Sequence, residues 1–204
     1  MLFRSKYLRR QGRKYAKRGS KNAGRGFIPN RVDIDERPNV VDNKERFGDL
    51  EIDTIIGKNH KGAILTINDR LTGRVWIRKL QGKEAIPVAK VTAWALRKVK
   101  NLIYTITADN GKEFAKHEEI AQKLELDFYF CKPYHSWERG ANENTNGLIR
   151  QYIPKGTDFS EITNKQIKRI ENILNNRPRK RLGYLTPNEK FKQIINQNSV
   201  AFAS

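Results

Sequence analysis

Between positions 134 and 155 the sequence reads Tyr-His-Ser-Trp-Glu-Arg-Gly-Ala-Asn-Glu-Asn-Thr-Asn-Gly-Leu-Ile-Arg-Gln-Tyr-Ile-Pro-Lys. Read as a helix that begins after Ser136, it sets Arg139, Glu143, Asn146 and Arg150 at steps of four, three and four, so all four share one face. Ala141, Leu148, Ile149 and Tyr152 fall on the other side. A carboxylate flanked by two arginines and an amide suits a solvated ion-pair face, or one ligand of a metal site that meets a phosphate backbone. Two further acids stand out by position: Asp53 inside an alternating stretch, and Asp109 where an apolar run ends in Asn110-Gly111. An unpaired charge in mid-strand is costly unless a ligand or an open groove receives it, and the carboxyl end of a strand is the usual place for a site in a sheet with helical cover.

If the three acids converge at about 4 Å, each pair repels by on the order of 4 kcal/mol at an effective dielectric of about 20. A hard divalent cation offsets that cost, and an all-oxygen set selects Mg²⁺, with Mn²⁺ able to substitute, over zinc. Two such ions roughly 3.5–4 Å apart would activate a water or a 3′-hydroxyl and stabilise the leaving oxygen of an in-line displacement at phosphorus. Spacing does not choose among the acids of the first strand, because Asp49 and Glu51 share a face with Asp53. His60, His117 and His135 are scattered, without metal-ligand spacing.

A basic surface supplies the substrate for such chemistry. The 204 residues carry a net charge of +19 and a pI near 10.1, which calls for a polyanionic partner, and nucleic acid comes first. No run of about 18 apolar residues is present to cross a membrane, and no pattern points to a small-molecule substrate. Cys131 is the single cysteine, so no internal disulfide can form, which suits a reducing compartment. The opening Met-Leu-Phe-Arg-Ser-Lys lacks the apolar core of a secretory signal, and the protein is expected in the cytoplasm.

Four segments are expected to position these groups. Residues 1–31 hold eleven Lys or Arg and no acid, Arg9, Arg10, Arg13 and Lys14 among them, and read as a mobile arm that neutralises phosphates. Residues 32–46 read as a linker. A core over 47–155 follows, with strands at about 50–56, 63–68, 74–80, 103–108 and 128–131. The first three form a meander, and helices over about 84–99 and 113–124 cover the sheet. Residues 156–204 read as a helical extension. Thr163 with Gln166, and Thr186-Pro187 with Glu189, mark two helix starts. Between those helices Arg177-Pro-Arg-Lys-Arg181 makes a basic loop, with Arg179 and Lys180 expected to face DNA.

Four motifs in order resemble the catalytic core of the IS-thirty family of bacterial insertion-sequence transposases. They are Glu51-Ile-Asp53-Thr-Ile-Ile-Gly57, Asp109-Asn-Gly-Lys-Glu-Phe114, the run from Pro133 to Gly147, and Arg177-Pro-Arg-Lys-Arg-Leu-Gly183 with Thr186-Pro187. Thirty-three residues separate Asp109 from Glu143, a spacing similar to the family's. The resemblance implies an α/β, ribonuclease H-like fold, a mixed five-stranded sheet flanked by helices as in integrase catalytic cores. It implies Asp53, Asp109 and Glu143 as an Asp-Asp-Glu triad that binds two Mg²⁺, with nicking at transposon ends and attack of the freed 3′-hydroxyl on target DNA by a homo-oligomer. Beside the triad, Arg139, Asn146 and Arg150 are expected to touch nucleic acid. Asp49 and Leu50 stand where the family usually has His and Trp. The family's upstream helix-turn-helix region would precede Met1, so the sequence reads as a truncated transposase or a catalytic fragment. The competing readings are an idle or inhibitory DNA-binding fragment and a ribonuclease that acts on hybrids.

Overall fold

The computed structural model describes residues 28–133 and 135–201. Most of the basic arm, including Arg9, Arg10, Arg13 and Lys14, lies outside the described residues. In chain order the elements are β1 (Val32–Asp33), α1 (Asn39–Asn43), β2 (Asp49–Ile56), β3 (Ala63–Asp69), β4 (Val75–Leu80), α2 (Ala85–Leu96), β5 (Thr105–Ala108), α3 (His117–Leu124), β6 (Asp127–Phe130), α4 (Gly140–Ile149), α5 (Asn164–Asn175) and α6 (Pro187–Ala201). They build one mixed sheet of order β1-β6-β5-β2-β3-β4. β2, β3 and β4 form the expected antiparallel meander, and β5 runs parallel to both β2 and β6.

Among the described residues six strands are found where five were expected. The addition is β1, parallel to β6 and two residues long, too short to show any alternation. The stretch read as a linker is thus packed on the sheet: Val41 is fully buried, and buried Arg37 donates to Thr107 Oγ1 at 2.8 Å. Three helix starts or ends also differ from expectation. α2 gives way at Arg97 to a 3₁₀ turn, α3 begins only at His117 after a separate 3₁₀ turn, and the stretch after Ser136 opens as a 3₁₀ turn before α4 begins at Gly140.

Period-two alternation decides which face of the sheet carries the acids. Leu50 and Ile52 join Leu65, Ile67 and Trp76 in a core closed by Val88 and Leu96 of α2 and Ile120 of α3. Ile55 joins Ile64, Val75 and Ile77 in a second core, closed by Ile149 of α4 and by Ile167, Ile170 and Leu174 of α5. Asp49, Glu51 and Asp53 share the face of Ile55, so they lie on the side that α4 and α5 cover.

Both C-terminal start signals hold. Thr163 and Gln166 form a reciprocal capping box on α5. At α6, Glu189 N–H donates to Thr186 Oγ1 at 3.1 Å and Thr186 N–H to the Glu189 carboxylate at 2.7 Å. α5 then closes the β4 edge with side chains. Asn175 accepts from Val75 N–H and donates to Val75 C=O, both at 2.8 Å, and Glu171 accepts from Ile77 N–H at 2.8 Å. Groups that would otherwise invite a further strand are thereby satisfied.

Candidate active site

β2 and β5 are parallel neighbours in which Glu51 is level with Thr107, so the next inward pair along the same register is Asp53 and Asp109. Asp53 lies within β2, and Asp109 follows the last residue of β5. A single guanidinium bridges them, with Arg139 Nη1 at 3.4 Å from Asp53 Oδ2 and Nη2 at 3.1 Å from Asp109 Oδ2. Arg139 ends the 3₁₀ turn that leads into α4. Two turns further along, Asn146 Nδ2 donates to the same Asp53 oxygen at 2.8 Å, while Asp53 Oδ1 accepts from Thr54 N–H at 2.8 Å. Every oxygen of Asp53 therefore has a donor.

Burial pushes the Asp53 carboxyl up to about 6; Arg139 pulls against that shift and the Asp109 charge adds to it. Arg139 answers in kind. Burial lowers its pKa, but Asp53 and Asp109 outweigh burial and hold it above the ordinary arginine value.

A third carboxylate stands at this end of the sheet, that of Glu113, which the sequence marks only as the start of a helix. Glu113 Oε1 accepts from Thr54 Oγ1 at 2.8 Å. A Cβ on Gly111 would fall 2.5 Å from Glu113 Oε2 and 2.8 Å from Asp109 Oδ1, so the glycine lets the two acids crowd the turn. The available signal was its place four residues after Asp109, inside the Asp-Asn-Gly-Lys-Glu-Phe motif.

Glu51 behaves unlike Asp53 although the two share a face. It is fully enclosed, with Oε1 receiving Arg70 Nη1 at 2.5 Å and Oε2 receiving the Asn142 N–H at 2.8 Å. Asn142 lies in the first turn of α4, where N–H groups lack helical partners. Glu51 thus caps the helix from the strand below it. Burial raises its pKa, opposed by Arg70 and by the Asn142 N–H. Asp49 is likewise engaged, by Arg46 Nε at 2.9 Å and Thr105 Oγ1 at 2.9 Å.

α4 turns its Asn142, Thr145 and Ile149 into the protein, with Arg139, Asn146 and Arg150 on the flank of that buried stripe. Glu143 projects from the helix as an exposed residue. Among the described residues, no three of His, Cys, Asp and Glu lie close enough together to hold a metal ion. The donor chemistry of Asp53 and Asp109 nevertheless fits a hard cation: two carboxylate oxygens converge on one positive group, and Arg139 marks the place where that charge is held.

The residues expected to contact nucleic acid are spread over distinct environments. Arg139 and Asn146 hold carboxylates, as described. Arg150 Nη2 donates to Ile56 C=O at 2.9 Å and Nη1 to Pro154 C=O at 3.2 Å. Arg179 is half-buried, and Lys180 is exposed in a 3₁₀ turn. Cys131 is buried, and burial pushes its thiol up to about 12.

Strand aspartates level with one another in a mixed sheet, with a helix laid over them, define the ribonuclease H-like class of α/β cores found in integrases. The catalytic core domain of BIV integrase superposes with a TM-score of 0.57 at 17% identity, over 74% of this chain and 97% of that one. By sequence the chain is a homologue of the transposases of insertion-sequence elements, those of IS30 among them. It is 90% identical over 199 residues to the transposase of insertion sequence element IS4351 of Bacteroides fragilis, covering 98% of this chain and 61% of the relative. It is 38% identical over 181 residues to the InsI transposase of IS30C of Escherichia coli K12, covering 88% and 46%. A putative integrase of Spiroplasma virus SpV1-R8A2 B is 33% identical over 199 residues, covering 95% and 59%. The chain thus spans about half to three-fifths of the length of these relatives. No family model matches it. Among the described residues no helix is long and apolar enough to cross a membrane.

Proposed function

We propose that the chain is the catalytic part of a DNA transposase, which cuts at transposon ends and joins the freed 3′-hydroxyl to target DNA, as a homo-oligomer in the cytoplasm. The observation that carries this reading is the placement of Asp53 and Asp109 on one cation, under the helix that bears Glu143. Asp53, Asp109 and Glu143 would hold two Mg²⁺ ions, whose chemistry when bound is Lewis-acid activation of the attacking oxygen and stabilisation of the leaving one.

The chain's own residues supply the rest. Asn146 and Thr54 fix both oxygens of Asp53, so its carboxylate is oriented before substrate arrives. Arg139 balances the two aspartates in the free protein, and a scissile phosphate offers it an alternative anion. Glu51 and Arg70 hold the start of α4, and with it the approach of Glu143 to the strands. In the hydrolytic step a water oxygen bonds to phosphorus as the phosphorus–O3′ bond breaks, which leaves a 3′-hydroxyl and a 5′-phosphate; in transfer that 3′ oxygen bonds to a target phosphorus and displaces the target's own 3′ oxygen.

Incubation with nicked or pre-cleaved element-end DNA and Mg²⁺ or Mn²⁺ tests this. Nicking or strand joining is expected from the wild-type chain, lost in Glu143→Gln and in Asp53→Asn. Salt-sensitive binding with no metal-dependent cleavage by the wild type would refute it and leave an idle DNA-binding fragment.

A further inference from the structure

A cavity of about 210 Å³ opens between the first half of α4 and the basic turn before α6. Lys44, Arg70, Arg179 and Arg181 line it together with Asn68, and no Asp or Glu is among its described lining residues. Among the described residues, Arg70 alone of these four has a carboxylate in hydrogen-bond contact, that of Glu51, with Asp42 further off at 3.8 Å. Arg179 Nη2 donates to Leu174 C=O at 3.1 Å and Arg181 Nη1 to Leu71 C=O at 2.8 Å. Those carbonyls fix where the guanidiniums lie without cancelling their charge. The Arg179 Nε is buried with no acceptor among the described residues, and a buried donor is costly to leave unpaired.

Burial draws the pKa of Arg179 and of Arg181 below the ordinary arginine value, and Arg177 and Arg181 add repulsion at Arg179. Asp69 offsets part of the burial at Arg181 and Glu51 pairs with Arg70, while no carboxylate pairs with Arg179 among the described residues. Arg forks match phosphate geometry, and the positive end of α4, at Gly140, adds to the field.

We infer that this cavity receives a backbone phosphate of the bound DNA, a non-scissile one that seats the duplex beside the acids. Two features favour a DNA phosphate over a free one. Gly140, at the cavity wall, directly follows the arginine that bridges Asp53 and Asp109, and exposed Arg177 and Lys180 continue the basic surface outward. Arg70 also ties the cavity to the Glu51 cap of α4, so a phosphate there bears on the helix that carries Glu143. The inference rests on the reading of the chain as a DNA-processing core.

The test compares wild type, the Arg179→Gln/Arg181→Gln double variant and Lys44→Gln, with binding to duplex DNA followed by fluorescence anisotropy over a range of NaCl. One lost phosphate contact lowers the log–log salt slope by about 1, and about a five- to tenfold loss of affinity is expected at low salt. Thermal melting checks that the double variant is folded; if it is not, Lys44→Gln, on an exposed side chain, carries the comparison. An unchanged slope in folded variants overturns the inference. So does stabilisation of the wild type by inorganic phosphate that the variants lose while their DNA slopes stay the same, because the cavity would then serve a free anion. Mg²⁺-dependent nicking by the wild type is scored in parallel. Intact nicking with unchanged slopes sinks the cavity alone, whereas shifted slopes without nicking sink the transposase reading and leave the phosphate site standing.

Discussion

Replacement of Glu51 by glutamine removes the anion that both neutralises Arg70 and caps α4. Arg70 is 6% exposed and Glu51 1% exposed, so the change strands a buried guanidinium. Breaking a buried pair from one side costs about 3–5 kcal/mol. The lower end applies here, because Asp42, 3.8 Å from Arg70 Nη2, remains as a partly exposed second anion. Arg70→Met should cost less, about 2 kcal/mol: burial already favours a protonated Glu51, which can shed its charge once the guanidinium is gone. If the two side chains act as a unit, the double variant loses about 3 kcal/mol rather than the sum of about 5, a coupling of about 2 kcal/mol. Urea unfolding read by circular dichroism and by tryptophan fluorescence gives these values where the two transitions coincide. Hydrogen exchange at the Asn142 amide should speed up in Glu51→Gln, and metal-dependent nicking should fall with it. Additivity to within about 0.5 kcal/mol would refute the reasoning.

Three other outcomes are expected. The buried Asp69 carboxyl sits at about 6 because burial outweighs the donors from Thr72 and Gly48; its pKa is thus raised from about 3.9 in the unfolded chain, and its stabilising share, on the order of 3 kcal/mol, is complete below about pH 4 and lost as pH rises through 6. Urea midpoints taken from pH 4 to 7 should therefore fall more steeply for wild type than for Asp69→Asn, and parallel curves would contradict this. Arg139→Gln removes the cation that competes for Asp53 and Asp109, and calorimetry should find Mn²⁺ bound about tenfold more tightly, since charge-assisted hydrogen bonds of about 1.5–3 kcal/mol no longer have to be given up; equal affinity would count against Arg139 as the competitor. Asn175→Ala leaves the N–H and C=O of Val75 without partners and should lower the unfolding free energy by about 2–4 kcal/mol, measured by the same denaturation.

The long strands and the order of elements could be read from the sequence because β2, β3 and β4 run for six to eight residues, long enough for an apolar pattern to show. β1 could not, since two residues carry no period. At the site, Asp53 and Asp109 were legible as acids at a strand interior and a strand end. The division of labour between Glu51 and Asp53 was not, because it depends on Arg70, nineteen residues away and reached only through the meander. The same limit hid the inward stripe of α4. Asn142 and Thr145 are polar, and a reading that looks for apolar side chains assigns them to solvent, whereas Glu51 beneath the helix accepts the backbone N–H of Asn142 and holds that turn against the sheet.

The closure of the β4 edge by α5 also sets a timetable. The hydrogen bonds that satisfy Val75 and Ile77 come from residues 100 and 94 positions later in the chain. On a ribosome that adds about 5–20 residues per second, β4 is complete roughly 5–20 s before Asn175 is made, and exit from the tunnel lengthens the wait. For that interval the meander presents a bare strand edge, the template on which a second nascent chain can pair. The safeguard against this sits in the last third of the polypeptide, so premature termination between Phe130 and Glu171 would release all six strands with no guard on the β4 rim.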